Sequence, residues 1–388
     1  MTDDIQAHVE GAARGRVARK PLLKGIRRVV VKLGSRVVAV DDNGLNLDLI
    51  GQLAVDVATV RESGIQVTLV SSGAVAAGMG RLEMQQRPAR IPDLQAAAAV
   101  GQGLLMNAYN SAFKELEIPI GQVLLTMDDL GDRWRYVNAQ NTLNALIGLG
   151  AVPVVNENDS VAVEENKVGD NDRLSAMVAH LVDADLLIVL TDVDGLFSGD
   201  PGSDPDSRLI PCVERVTPEL ISRAGKAGSA VSLGGMRTKL QAAESVTRAG
   251  RMMVITNGHT TRIPDVLDGA EAGTLFLASK EPLVGRKIWI ANMLKKGVVV
   301  VDAGAVEAIS RRGKSLLPPG VVKVVGDFEA GELIAVEGPT GEEVARGVVQ
   351  FGSAEIRQIL GRQTSEIAGI LGVTGNVEVI HRDDMVTL

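Results

Sequence analysis

Asn156–Asp172 reads N-E-N-D-S-V-A-V-E-E-N-K-V-G-D-N-D. The short apolar run Val152-Pro153-Val154-Val155 precedes it, and Leu174, Met177, Val178 and Leu181 follow at helical spacing. Carboxylates and carboxamides gather twice, as N-E-N-D and again as G-D-N-D. An apolar strand, a polar loop and an amphipathic helix form the repeating phrase of an α/β sheet, whose polar ligands sit at strand carboxyl ends and helix amino ends. Taken alone, the same residues also fit an acidic surface loop with a helix N-cap at Asp170 or Asp172.

The phrase recurs on both sides. Upstream, Ile26–Val31 is a β-branched run ending in Lys32-Leu33-Gly34-Ser35, where a lysine beside glycine can reach a phosphate or simply be solvated. Leu49, Leu53, Val57 and Val60 mark a helix, and Gln66–Val70 a strand. Ser71-Ser72-Gly73-Ala74 then opens a small-residue helix, either as an anion site or as ordinary capping. An Ala-rich helix runs from Pro92 toward Leu116, Gly121–Leu125 reads as a strand, and Leu143, Leu146 and Ile147 as a helix. Downstream, Leu186–Leu190 is a buried strand leading into T-D-V-D-G-L at Thr191–Leu196. Gly225–Gly235 is small and glycine-rich, a predicted mobile loop that enters G-G-M-R-T-K at Gly234–Lys239. A glycine loop with a lysine one turn into the next helix is chemically a phosphate cradle, although it does not match the P-loop pattern. Met252–Thr256 is a further strand. Strands alternating with helices predict an α/β fold with a doubly wound, mainly parallel sheet sandwiched by helices.

Composition agrees. Hydrophobic residues make up 45% of the chain but aromatics only 2%, so the core is built from Val, Leu, Ile and Ala. At 388 residues there is room for two domains, at roughly 150 residues each. We read a disordered arm over 1–25, a catalytic domain over 26–282, a linker over 283–296 and a small, mostly β domain over 297–388 with turns at Pro318-Pro319-Gly320 and Gly338-Pro339. The net charge of −8 disfavours nonspecific binding to nucleic acid or anionic membrane, and no apolar run reaches the ~18 residues of a membrane span. A single cysteine, Cys212, excludes an internal disulfide framework and fits a cytoplasmic location. His8, His180, His259 and His381 show no metal-ligand spacing.

Three near-misses fail on chemistry. Asp192-x-Asp194-Gly195 places its glycine too early for a calcium loop. A-I-S-R-R-G-K-S at Ala308–Ser315 lacks the first glycine of a P-loop. His381-Arg382-Asp383 imitates a protein-kinase catalytic loop, yet no downstream Asn is left before Leu388 to hold a metal.

Together the motifs V-V-K-L-G-S (Val30–Ser35), S-S-G-A-V-A-A-G (Ser71–Gly78), V-N-E-N-D (Val155–Asp159), K-V-G-D-N-D (Lys167–Asp172), L-T-D-V-D-G-L (Leu190–Leu196) and G-G-M-R-T-K (Gly234–Lys239) resemble the amino acid kinase family in its glutamate-phosphorylating branch. S-L-L-P-P-G at Ser315–Gly320 and the terminal H-R-D-D-M resemble that branch's C-terminal PUA domain. The resemblance implies ATP-dependent phosphorylation of the γ-carboxylate of L-glutamate, with Mg²⁺, as the first step of proline biosynthesis, usually inhibited by proline. It implies Lys32 and Lys239 as the cations flanking the transferred group and Asp172 as the residue orienting them. Glutamate falls to Ser72, Gly73, Asn156, Asp159, Asp170 and Asn171, and ATP to Lys32, Thr191, Asp192 and the run Leu233, Gly234, Gly235, Met236, Arg237, Thr238 and Lys239. Mg²⁺ is expected on ATP oxygens and water, with no protein ligand. Where the family usually reads G-T-G-G-M, this chain has Ser232-Leu233-Gly234-Gly235-Met236. A homo-oligomer, dimer or tetramer, and delivery of the labile product to glutamyl phosphate reductase are implied partners. The alternatives are another amino acid kinase such as an acetylglutamate kinase, a PUA-type RNA-binding protein, and an inactive sensor. Against RNA, 297–388 carries eight Lys and Arg but thirteen Asp and Glu, a net −5.

Overall fold

The computed structural model describes residues 18–40, 44–161, 171–224, 235–283, 285–293, 295–372 and 378–387. Residues 1–17 of the arm, Asp170 and the 225–234 loop with Leu233 and Gly234 lie outside them. The chain divides into two compact units, Met1–Pro282 and Leu283–Leu388.

The first unit is built on eight strands: β1 (Arg28–Leu33), β2 (Gln66–Val70), β3 (Ile120–Leu125), β4 (Val152–Glu157), β5 (Leu186–Thr191), β6 (Cys212–Val213), β7 (Met252–Asn257) and β8 (Thr274–Phe276). Their order is β3-β4-β2-β1-β5-β7-β8-β6. Every pair is parallel except β7 with β8. Fully buried parallel strands need apolar residues on both faces, which is why β5 (L-L-I-V-L-T) is a continuous run rather than an alternation. Five helices matter for the site: α1 (Leu47–Glu62), α2 (Ala74–Arg81), α3 (Ile91–Lys114), α4 (Asn171–Leu181) and α5 (Met236–Arg248).

Strand register aligns the site. Lys32 on β1 stands level with Val70 on β2 and Val189 on β5, so the carboxyl ends of these strands open on one edge. The helices are drawn in equally closely. A Cβ at Gly78 on α2 would lie 1.7 Å from the Ala97 carbonyl oxygen on α3, and one at Gly101 on α3 would lie 1.8 Å from that of Ala74. Only glycine permits this crossing.

Two stretches differ from the sequence reading. The arm assigned to 1–25 is ordered in its last part: Arg19–Leu23 form a short helix. Arg19 is buried and donates to the carbonyls of Pro211 (2.7 Å), Ala270 (3.1 Å), Gly273 (2.7 Å) and Ala272. Those acceptors belong to backbone remote in sequence, so local composition carries no sign of them. Likewise the linker 283–296 contains a helix, Arg286–Asn292, with Trp289 and Ile290 buried. Its Ala291 carbonyl accepts from Arg346 Nη1 at 2.9 Å, and Arg286 pairs with Asp384 at 2.6 Å, which ties it into the second unit.

That unit holds a five-stranded sheet of β9 (Gly297–Val301), β10 (Val321–Val325), β11 (Leu333–Glu337), β12 (Glu343–Val349) and β13 (Ile380–Thr387), ordered β10-β9-β11-β12-β13. Its core gathers Val299, Ile334, Val336, Phe351 and Ile380.

Candidate active site

β1 delivers Lys32 and α5 delivers Lys239 from opposite sides onto one carboxylate. Lys32 Nζ lies 2.6 Å from Asp172 Oδ1, and Lys239 Nζ 3.2 Å from Asp172 Oδ2. Asp172 sits in the first turn of α4, and all three side chains are buried. Thr238 Oγ1 also donates to Asp172 Oδ2, at 2.7 Å. Burial alone would raise this carboxyl, but the two lysines outweigh burial and hold it at about 2. Asp172 therefore stays ionised across the whole working range and keeps both ammonium groups in place.

Beside this triad runs a network of carboxamides. The Asn171 side chain donates from Nδ2 toward the Ser71 carbonyl (2.7 Å), Ser72 Oγ (2.9 Å) and Asn156 Oδ1 (3.0 Å). Asn156 in turn donates to Gln102 Oε1 at 2.8 Å. With the amide nitrogens so engaged, Asn171 Oδ1 is left buried with no hydrogen-bond partner among the described residues, and so is Asp159 Oδ1. Native structures rarely bury an unpaired acceptor without a purpose, and each of these suits a donor brought in by a ligand. Burial pushes the Asp159 carboxyl up to about 6, with the Arg87 charge opposing.

The serines do not cap a helix. Gly73 is the N-cap of α2, in the left-handed region at φ 104°, where glycine is the natural residue. Ser71 Oγ bonds the buried Tyr109 hydroxyl at 2.8 Å, and Ser72 Oγ faces Asn171. Burial drives the Tyr109 hydroxyl up to about 12, so it remains a neutral hydrogen-bonding group.

At the end of β5, Thr191 is buried next to Gly34, whose N–H donates to the Leu190 carbonyl at 2.9 Å. Asp192 accepts from Thr191 Oγ1 at 3.1 Å and pairs with Arg36 at 2.8 Å. Gly235 caps α5, Met236 is half-buried and Arg237 is exposed. The structure thus brings Lys32, Lys239, Asp172 and Thr238 into one cluster, and Ser72, Asn156 and Asn171 into another.

Gln102, Tyr109 and Arg36 were absent from the sequence-derived site. Gln102 and Tyr109 stand seven residues apart in α3, so they share a face on which, with Gln95, they interrupt a small apolar stripe. That interruption was the available signal. Arg36 carried none.

Comparison with known proteins gives the family. The amino acid kinase family model matches residues 27–257, and the PUA domain model residues 297–371. Glutamate 5-kinase from Geobacter sulfurreducens is 47% identical over 372 residues, covering 95% of this chain and 100% of that protein. The chain belongs to the amino acid kinase family, among the glutamate 5-kinases. Glutamate 5-kinase from Moorella thermoacetica is 48% identical over 368 residues, covering 94% of this chain and 97% of its own length. A carbamate kinase from Giardia lamblia bound to AMP-PNP aligns at 18% identity with a TM-score of 0.49, over 66% of this chain and 99% of that one. His180 lies away from these clusters, its Nε2 2.9 Å from Ser245 Oγ.

Proposed function

We propose that this chain transfers the γ-phosphoryl group of ATP to the γ-carboxylate of L-glutamate, giving L-glutamyl 5-phosphate and ADP, the first step of proline biosynthesis. The observation that carries the reading is the pair of buried lysines held on Asp172 at the carboxyl edge of the sheet. A carboxylate nucleophile is ionised at neutral pH, so no general base is required. The work is to align two anions and to stabilise the charge of the transferring group. Lys32 and Lys239 supply that stabilisation from two sides, each contributing about 10²–10³ in rate.

Glutamate's ammonium is received by Asp159 and Asn171 Oδ1, the buried acceptors without partners among the described residues. Ser72, Gly73 and Asn156 hold its carboxylates. Thr191, Asp192 and the stretch up to Lys239 face the nucleotide; Asp170, Leu233 and Gly234 are assigned by resemblance. Both oxygens of Asp172 are taken up by lysine and threonine donors, which does not suit a direct metal ligand. Mg²⁺ would then be brought in on the ATP phosphates, where it would supply charge neutralisation. Proline inhibition, a cytoplasmic homo-oligomer and transfer of the acyl phosphate to glutamyl phosphate reductase complete the proposal.

ADP release with Mg-ATP tests it, with glutamate, N-acetylglutamate and aspartate as acceptors. Turnover with glutamate alone is expected. Preference for N-acetylglutamate would move the chain to another amino acid kinase, since an acylated nitrogen cannot use two acceptors.

A further inference from the structure

The R-R-G-K-S and H-R-D segments, neither of which has the residues of the loop it imitates, meet in the second unit. Leu316 N donates to the Ile380 carbonyl at 2.9 Å, and Val379 N returns a bond to the Leu316 carbonyl at 2.8 Å. Arg382 N donates to Ser315 Oγ at 3.1 Å. This pairing is one wall of a cavity of about 680 Å³; the start of helix Ala303–Arg312 and the turn Pro318–Gly320 form the other. Its size falls within the ~300–1,000 Å³ range of small-molecule sites.

The lining combines three chemistries. Ala305, Ala308, Leu316 and Pro319 give an apolar surface. Lys314 and Arg382 add two cations, both on exposed residues, with Asp383 3.8 Å from Arg382 Nε; Asp302, whose Oδ1 accepts from Ala305 N at 2.7 Å, is a second carboxylate in the wall. Glu378 adds an acceptor: its Oε2 is buried with no hydrogen-bond partner among the described residues. His381 Nδ1 accepts from Asp383 N at 3.2 Å, so in the neutral ring Nε2 carries the hydrogen. That nitrogen stands 3.9 Å from Glu378 Oε2, beyond hydrogen-bond reach.

A simple anion suits Lys314 and Arg382 but meets the charge of Glu378. A simple cation has the reverse fault. A polyanion such as RNA offers Glu378 only neutral donors, and it meets a segment of net charge −5 over 297–388. We propose that this cavity binds a small zwitterion, an amino acid with an apolar side chain. Its carboxylate pairs with Lys314 and Arg382, its ammonium donates to Glu378 Oε2, and its side chain covers Leu316 and Pro319. The site is independent of the catalytic reading.

The test is calorimetric titration of the full chain, with glutamate and a nonhydrolysable ATP analogue in excess to occupy the catalytic unit. The probes are L-phenylalanine, 3-phenylpropanoate, which lacks the ammonium, and phenethylamine, which lacks the carboxylate. L-Phenylalanine is expected to bind once per chain and at least ~tenfold more tightly than either half-probe. Glu378→Gln should erase its advantage over 3-phenylpropanoate, whereas Lys314→Ala should weaken those two probes alike. Unchanged unfolding temperatures show that both variants are folded. No binding at millimolar phenylalanine, equal binding of 3-phenylpropanoate, or affinity untouched by both substitutions would overturn the proposal. So would an AMP or oligoribonucleotide titration that displaces phenylalanine and binds more tightly.

Discussion

Lys32 Nζ sits 2.6 Å from Asp172 Oδ1, and neither side chain is more than 6% exposed. The charge pair is therefore part of the interior, and the carboxylate it shares with Lys239 holds a catalytic geometry in a place where errors are costly. Asp172→Asn leaves two buried ammonium groups facing an amide. We expect kcat to fall by about 10²–10³. Stability should fall by about 3–5 kcal/mol, as when one partner of a buried pair is removed. Denaturant unfolding and steady-state kinetics on the same preparation check both; unchanged kcat would remove Asp172 from the mechanism.

Asp159 should make glutamate binding pH-dependent. Its folded carboxyl is raised to about 6 by burial, so it is neutral below that pH and charged above it. If it receives the substrate ammonium, KM for glutamate falls as pH rises through about 6, and Asp159→Asn flattens the profile. The stability effect has the opposite sign. A raised carboxyl favours the folded state below about 4 and loses that contribution as pH rises through 6, so Asp159→Asn should be the more stable protein at pH 8.

His180 supplies a second pH signature, away from the chemistry. Burial, aided by the Arg251 charge, lowers it to about 3. Its Nδ1 lies 3.3 Å from Arg251 Nη1, which can only donate, so Nε2 carries the hydrogen toward Ser245. This bond ties α4, which carries Asp172, to α5, which carries Lys239. The unfolded histidine protonates near 6.5 and the folded one near 3, so stability should decline as pH falls through that window. The slope approaches about 1.4 kcal/mol per pH unit. His180→Gln should lose this slope in thermal melts recorded from pH 7 to 4; a variant with the wild-type slope would assign the effect elsewhere.

Gly101→Ala probes the helix crossing. The added methyl would start 1.8 Å from the Ala74 carbonyl, and Ala74 opens α2 directly after Ser71-Ser72-Gly73. The helices must part, at a cost of about 1–3 kcal/mol. Because the serines ride on that shift, KM for glutamate should rise together with the loss of stability. Gly103→Ala, where a Cβ meets nothing within 4 Å, is the matched control.

The sheet was legible because buried parallel strands are continuous apolar runs, as at Leu186–Leu190, and the polar loops that follow them mark their carboxyl ends. β6 and β8 were not. Cys212–Val213 and Thr274–Phe276 are too short to show a period and exist through pairing alone. The charged triad could be named from Lys32, Asp172 and Lys239 because each lies in a recognisable motif. The supporting contacts could not: Gln102 orients Asn156 across 54 residues, and Arg36 reaches Asp192 across 156. Arg19 was hidden for the same reason, since its carbonyl acceptors lie near Pro211 and Gly273.

The most direct measurement is glutamate-dependent hydroxamate formation with Mg-ATP and hydroxylamine, comparing the wild-type chain with Lys239→Ala. Hydroxylamine traps an acyl phosphate and nothing else that the reaction would make. The account predicts hydroxamate in step with ADP from the wild type, and a loss of about 10²–10³ in the variant at unchanged fold. ADP release without hydroxamate, or a variant as fast as the wild type, would contradict it.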